Sequence, residues 1–187
     1  MKPTNLLKHF IILLFIICGT HVFSQKNMTV QKGSMFKISG TSSLHDWDMN
    51  SETATGRMVG TFHGESLQSI QSLVVEMPAE SLKSGKGGMD KNAYKALKTT
   101  SFKTIKFELK SAKKEGAFWN LTGTFQIAGV TKNVSIKVKE SNNGGEVVLE
   151  GSYDFNLTDY NITPPTALLG TVKTGDAVSI SFKISFK

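Results

Sequence analysis

Histidine, aspartate and tryptophan crowd into one short stretch of this chain, Gly40-Thr-Ser-Ser-Leu-His-Asp-Trp-Asp-Met49. Ser42 or Ser43 with His45 and Asp46 supplies the residue types of a hydrolase triad. Neighbours along one strand cannot easily converge on one reacting atom, however, and no nucleophile elbow occurs, so hydrolysis is not expected. His45, Asp46 and Asp48 are also metal-ligand types, and His63 lies further along the chain. Period-two alternation puts both carboxylates on the face opposite Trp47, and nothing in the sequence brings His63 to them, so no metal site is expected. The stretch suits recognition better, with His45 making a hydrogen bond at a strand end and Trp47 offering a broad apolar surface with one donor. Of the two roles an indole could take there, lid or core plug, the core plug is the one expected. Gly85-Lys-Gly-Gly88 lacks the spacing of a phosphate loop and reads as a loop. Neither an enzyme nor a bound cofactor is expected.

The elements that must hold this stretch are strands. Ile105, Phe107 and Leu109 alternate with Lys106, Glu108 and Lys110, and Trp119, Leu121, Gly123, Phe125 and Ile127 alternate with mostly polar neighbours. Val134, Ile136 and Val138 do the same. From Val178 to Phe186 every second residue is apolar, Phe182 among them. Weaker strands are readable at 35–39, 46–50, 57–63, 73–77 and 147–155, the last ending on Phe155. Ala128-Gly129-Val130-Thr131 and Asn142-Asn143-Gly144-Gly145 are short turns that join neighbouring antiparallel strands. Connections this short leave no room for parallel crossovers. One segment departs from period two: Met89, Ala93 and Leu97, with Tyr94, make the apolar stripe of a short helix over 88–98, placed to cover a barrel opening or pack on its wall.

Composition narrows the function classes. Lys2 and Lys8, the apolar run from Phe10 to Cys18 and the Val22-Phe23-Ser24 ending read as a secretion signal over residues 1–24. The run is too short to span a bilayer as a helix, which takes roughly 20 residues, so no integral membrane span is expected in the mature chain. Loss of that segment removes the only cysteine, Cys18, and leaves a domain over 25–187 that relies on its core. The location implied is periplasmic or secreted. The net charge of +7 comes from lysines that alternate with apolar residues, so it marks the wet face of a sheet and not a nucleic-acid surface. A lysine- and serine-rich polar face also excludes an outer-membrane barrel, whose outward face must be apolar. The apolar face therefore points inward, in a barrel or a sandwich. A closed barrel of about eight strands is filled by side chains or holds one small ligand.

The ordered combination of Ser42-Ser-Leu-His-Asp-Trp47, Met89-Asp-Lys-Asn-Ala-Tyr-Lys-Ala-Leu97 with Phe102, the Gly129-Val-Thr-Lys132 turn and Val172-Lys-Thr-Gly-Asp-Ala-Val178 resembles the YceI-like family of bacterial lipid-binding proteins over roughly residues 30–187. The resemblance implies an all-β, antiparallel, lipocalin-like barrel of about eight strands with one short helix, whose lumen holds a polyisoprenoid or quinone-type chain. The partner it implies is an apolar lipid, and the family has no established catalytic residues. The ligand-facing residues would be Phe107, Leu109, Trp119, Gly123, Phe125, Phe155 and Phe182, with His45 and Trp47 at the mouth. The alternative is a filled barrel that serves as a structural or interaction module of the cell envelope without a lumenal ligand.

Overall fold

Alternating apolar and polar residues give each strand one face for a core and one for water, and here the strands build one curled antiparallel sheet. The computed structural model describes residues 23–187. In chain order the strands are β1 (Phe23–Thr29), β2 (Met35–Ser42), β3 (Trp47–Ser51), β4 (Thr55–His63), β5 (Ser66–Pro78), β6 (Thr104–Glu115), β7 (Phe118–Ile127), β8 (Val130–Asn143), β9 (Glu146–Asn156), β10 (Thr166–Ala167) and β11 (Val172–Phe186). Helix α1 (Gly87–Ala96) lies between β5 and β6. The expected secretion signal lies outside the described residues except for Phe23 and Ser24, which open β1.

The pairing order is β1-β4-β5-β6-β7-β8-β9-β11-β2-β3, with β10 on β11. Eleven strands exceed the expected eight or so because two walls are each broken in the middle. After Thr29, β1 runs on to pair with the end of β11: Thr29 and Lys187 exchange backbone bonds of 2.8 and 3.0 Å, and the Gln31 N–H reaches the Ser185 carbonyl at 2.8 Å. Beyond the break β2 takes over the same edge of β11, from Lys183 to Thr174. Buried Ser34 fills the break, donating to the Gln31 carbonyl and accepting from the Ser185 N–H. In the neighbouring wall β4 pairs with β5, and β3 continues alongside through Asn50, bonded to Lys83 just past β5. Since β1 touches both β4 and β11, the sheet returns on itself. The ring is not laddered throughout: β8 joins β9 only from Val138 to Asn143, and β5 joins β6 only from Val74 to Pro78.

The inward faces expected for β7, β8 and β11 are the buried ones. On β6 the alternation breaks. The ladder to β7 slips between Leu109 and Ser111, a bulge at Lys110, so that Ala112 and Lys114 stand opposite Leu121 and Trp119. Lys114 is thereby turned inward, where sequence alternation alone would not put it. The β8–β9 turn is Gly144-Gly145 with φ of 60° and 83°, a backbone that favours glycine and matches the twist of a tight hairpin.

Candidate functional site

The two ends of the barrel differ. At the end carrying the β4–β5, β6–β7 and β8–β9 hairpins the interior is sealed: Trp119, Phe62, Leu67, Val138 and Val147 are all buried. The Trp119 indole N–H donates to a Glu140 carboxylate oxygen at 2.6 Å, and the Lys114 ammonium lies 3.1 Å from the same carboxylate. Lys114 also donates to the Leu67 carbonyl, and the Asn142 amide donates to the Glu65 carbonyl, so polar bonds between hairpins lock this floor. A lysine and a glutamate facing inward are tolerable because each answers the other and both have further partners.

At the opposite end lies a cavity of about 1030 Å³. Its walls come from β2, β3 and β11, from α1, and from the loop between β9 and β11. Below it is a narrower space of about 80 Å³ walled by residues such as Phe107, Phe125, Leu149 and Phe182. Ile38, Ile105 and Ile180 border both, so the two spaces meet at an isoleucine neck. The lining is mostly apolar, with Ser42, His45, Lys86, Lys91 and Asn92 among its polar members, and such a surface suits non-directional burial of an apolar chain.

Helix α1 is placed over the mouth by two polar pins. Asp90 accepts from the Ser84 N–H at 2.8 Å and from the Ser84 hydroxyl at 2.7 Å, and these bonds hold its carboxyl below the usual aspartate pKa. The Tyr94 hydroxyl meets the Leu82 carbonyl at 2.8 Å, and Lys83 donates to Tyr94. With those ends fixed, Met89, Ala93 and Leu97 line the cavity. The apolar stripe of the helix thus faces the wide cavity as part of its lining. Across the mouth, Thr158 is clipped to Asp176 of β11 through its N–H at 2.9 Å and its hydroxyl at 2.6 Å. The Thr174 N–H reaches the Pro165 carbonyl at 3.1 Å.

The profile of the YceI-like domain matches residues 20–186. The chain belongs to the YceI-like family. No curated protein matches it by sequence. Among solved structures it is similar to BcnA from Burkholderia cenocepacia, at 15% identity and a TM-score of 0.70, over 83% of this chain and 98% of that one. It is also similar to a polyisoprenoid binding domain from Saccharophagus degradans implicated in plant cell wall breakdown, at 8% identity and a TM-score of 0.68, over 86% and 97% of the two chains. A third relative is the Campylobacter jejuni YceI protein, at 14% identity and a TM-score of 0.57, over 73% and 82%. At these identities the likeness is one of fold.

Within this YceI-like barrel, the residues singled out from the sequence separate into groups. Phe107, Phe125 and Phe182 line the narrow space and Phe155 the wide one. His45 and Trp47 stand at the mouth of the wide one. Leu109, Trp119 and Gly123 line neither. Leu109 precedes the β6 bulge, Trp119 is consumed by the floor, and Gly123 is covered by the Phe107 ring. Trp47 is half-buried and borders the cavity, so it is not the enclosed core plug expected of it. The reason is Gly40: with no β-carbon there, the indole lies on β2 with its ring atoms where that carbon would project, and its N–H reaches the Thr41 carbonyl at 2.9 Å. The His45 ring is exposed, its Nδ1 2.6 Å from the Asp46 carbonyl; since a carbonyl only accepts, Nδ1 carries the proton. Asp48 points to the outer face, 3.4 Å from the Lys37 ammonium, and its carboxyl is held below the usual range by the Asn50 amide and then by Lys37. Among the described residues no three histidine, cysteine or carboxylate side chains are grouped to hold a metal, and no helix is long and apolar enough to cross a membrane.

Sequence reading missed the upper wall made by residues 165–172 and the inward pair Lys114 and Glu140. Proline-rich loop sequence has no period from which a facing direction can be read, and the bulge at Lys110 leaves no local signature. Leu168 and Leu169 at the loop tip have φ of 49° and 57°, an uncommon region for bulky residues.

Proposed function

We propose that this protein is an exported carrier that holds one apolar lipid of the polyisoprenoid or quinone type, its tail passing the neck toward the narrow space and its polar end at the mouth near His45 and Trp47. The observation that carries this reading is the cavity of about 1030 Å³, walled mostly by aliphatic and aromatic side chains and running on past Ile38, Ile105 and Ile180. Its size is at the upper end of the range for small-molecule sites, which is about 300–1000 Å³. Membership of the YceI-like family and the fold shared with a polyisoprenoid binding domain support the same ligand class. On this reading the protein does no chemistry. Burial at about 25 cal/mol per Å² of apolar surface supplies the affinity, so chain length and shape select the ligand more than any single polar contact. The sealed floor sets the limit of reach.

Mass spectrometry of an organic extract of protein purified from its native envelope fraction is the direct test. A prenyl lipid in near-stoichiometric amount is the expected result. An extract with the same lipids as a control protein of equal size, in the same trace amounts, would sink the reading. Amino-terminal sequencing of that sample should begin at or near Gln25 if the chain is exported as proposed.

A further inference from the structure

Three of the most exposed large apolar residues lie around one opening. Leu44 is 65% exposed on the β2–β3 loop, while Leu168 and Leu169 are 71% and fully exposed on the facing loop. All three border the wide cavity. A single exposed leucine means little, but a cluster concentrated at the entrance to an apolar cavity is a candidate interaction surface. The backbone reinforces the point. Leu168 and Leu169 occupy consecutive left-handed conformations, which bulky residues adopt at an energetic cost, and the result is a tip directed into solvent instead of folded onto the cavity.

The ionised side chains that border the cavity itself are both cationic, Lys86 at the start of α1 and Lys91 on its first turns. The Lys173 backbone N–H is bonded to the Ser43 hydroxyl beside the β2–β3 loop. None of these three lysines is in an ion pair among the described residues. The nearby carboxylates stand outside the cavity lining: Asp90 is held by Ser84, Asp176 by Thr158, and Asp46 lies on the β2–β3 loop. Leucines at a tip with lysines behind them match the two layers of an anionic membrane surface, acyl chains below and negatively charged headgroups above.

We propose that the rim formed by Leu44, Leu168 and Leu169 docks the protein on an anionic lipid bilayer, with Lys86, Lys91 and Lys173 against the headgroups, so that the cavity opens onto the membrane from which its lipid is drawn. This rests on the carrier reading above for its purpose, but not for its measurement. A long prenyl lipid is almost insoluble in water, and a mouth sealed against the bilayer would let it pass from one apolar phase to another without exposure.

Flotation of the purified full-length protein with vesicles tests the rim, using phosphatidylcholine alone or with about a third phosphatidylglycerol to supply negative charge. Binding is expected on the anionic vesicles, weakening as salt rises. The double variant Leu168→Asn with Leu169→Asn should bind about tenfold more weakly, and because asparagine tolerates the left-handed backbone the fold is not endangered. Lys86→Gln with Lys91→Gln should lower binding about tenfold on anionic vesicles only. Tryptophan fluorescence with farnesol, a short prenyl alcohol, reads the cavity of the parent protein separately from its flotation. A parent protein that binds farnesol but floats with neither vesicle overturns the docking proposal and leaves the carrier reading standing. Flotation without farnesol binding does the reverse. Absence of flotation together with a dimer that dissociates in the leucine double variant would identify a second copy as the occupant of the rim, and overturn the proposal too.

Discussion

The ring of Phe107 lies against Gly123 on the neighbouring strand, two of its carbons 2.8 and 2.9 Å from where a β-carbon would project. The same β-carbon would press on the Glu108 backbone carbonyl, which belongs to the β6 ladder and cannot retreat without losing its pairing. The glycine thus exists to let an aromatic ring fold across the barrel interior. Gly123→Ala should destabilise the protein by about 1–3 kcal/mol, the range for overpacking, as read by urea denaturation. A variant as stable as the parent would show that Phe107 can swing away at no cost, and that the narrow space is wider than its resting shape.

This pair also shows how far the sequence could be read. Gly123 was identifiable as an inward residue from strict alternation along Trp119 to Ile127, and that alternation fixed the burial of β7, β8 and β11. Whether an inward glycine opens space or accepts a neighbour's ring depends on which residue stands across the ladder, and register is a tertiary property. Trp119 was legible as inward but not as part of the floor, because its partners Glu140 and Lys114 come from two other strands. The mouth was legible only as motifs. His45 and Trp47 sit there, whereas the loop carrying Leu168 and Leu169 has no periodicity to say what it faces.

The floor makes a prediction about charge. Glu140 is 11% exposed and Lys114 30%, so removing the carboxylate leaves an ammonium turned inward with the Leu67 carbonyl as its remaining acceptor. Glu140→Leu should cost about 2–3 kcal/mol, somewhat under the penalty for a fully enclosed pair because Lys114 still touches water. Lys114→Met on top of Glu140→Leu should recover the part of that loss owed to the unpaired ammonium, while the buried Trp119 indole N–H stays without its acceptor. Thermal or urea melts of the parent, both single variants and the double variant give the coupling directly. Additive single effects would mean that the pair fills space and that its charges do not cooperate.

Tyr160 gives the protein an alkaline limit. It is fully buried in an aromatic cluster, 5.1 Å from the Phe155 ring and 6.1 Å from Phe125, and its hydroxyl has no well-formed hydrogen bond. Burial first, and then the neighbouring Tyr153 hydroxyl, push its pKa above the ordinary tyrosine value of 10.0. Because the folded pKa is the higher one, the unfolded chain loses this proton first. The associated stability is complete below about pH 10 and is lost as pH rises through the folded value. Tyr160→Phe should therefore flatten the fall in stability above about pH 10. At neutral pH it should change stability by less than about 1 kcal/mol, since the hydroxyl it removes is desolvated and unpaired. Denaturation curves at pH 7 and on the alkaline side decide it. A large loss at pH 7 would mean that the hydroxyl is satisfied in solution.

The isoleucine neck should govern ligand length. Ile38 is half-buried, pairs across the ladder with Met49 and Ile180, and borders both the wide and the narrow space. A tail that stops in the upper chamber never meets this neck, whereas a longer one must thread it to bury its last units. Ile38→Phe should therefore weaken binding of a long prenyl alcohol by about tenfold, which is the loss of a few buried methylene equivalents. Binding of farnesol should be nearly unchanged. The added ring costs up to about 3 kcal/mol of stability, so a melt must first show the variant folded at the assay temperature. Ile38→Val supplies the opposite arm, a slightly wider neck with little strain, and should leave long-chain binding equal or tighter. If Ile38→Phe weakens short and long chains alike, the obstruction lies in the upper chamber and the narrow space takes no part in holding the tail. If it weakens neither, the ligand lies wholly along the wall formed by α1 and residues 165–172.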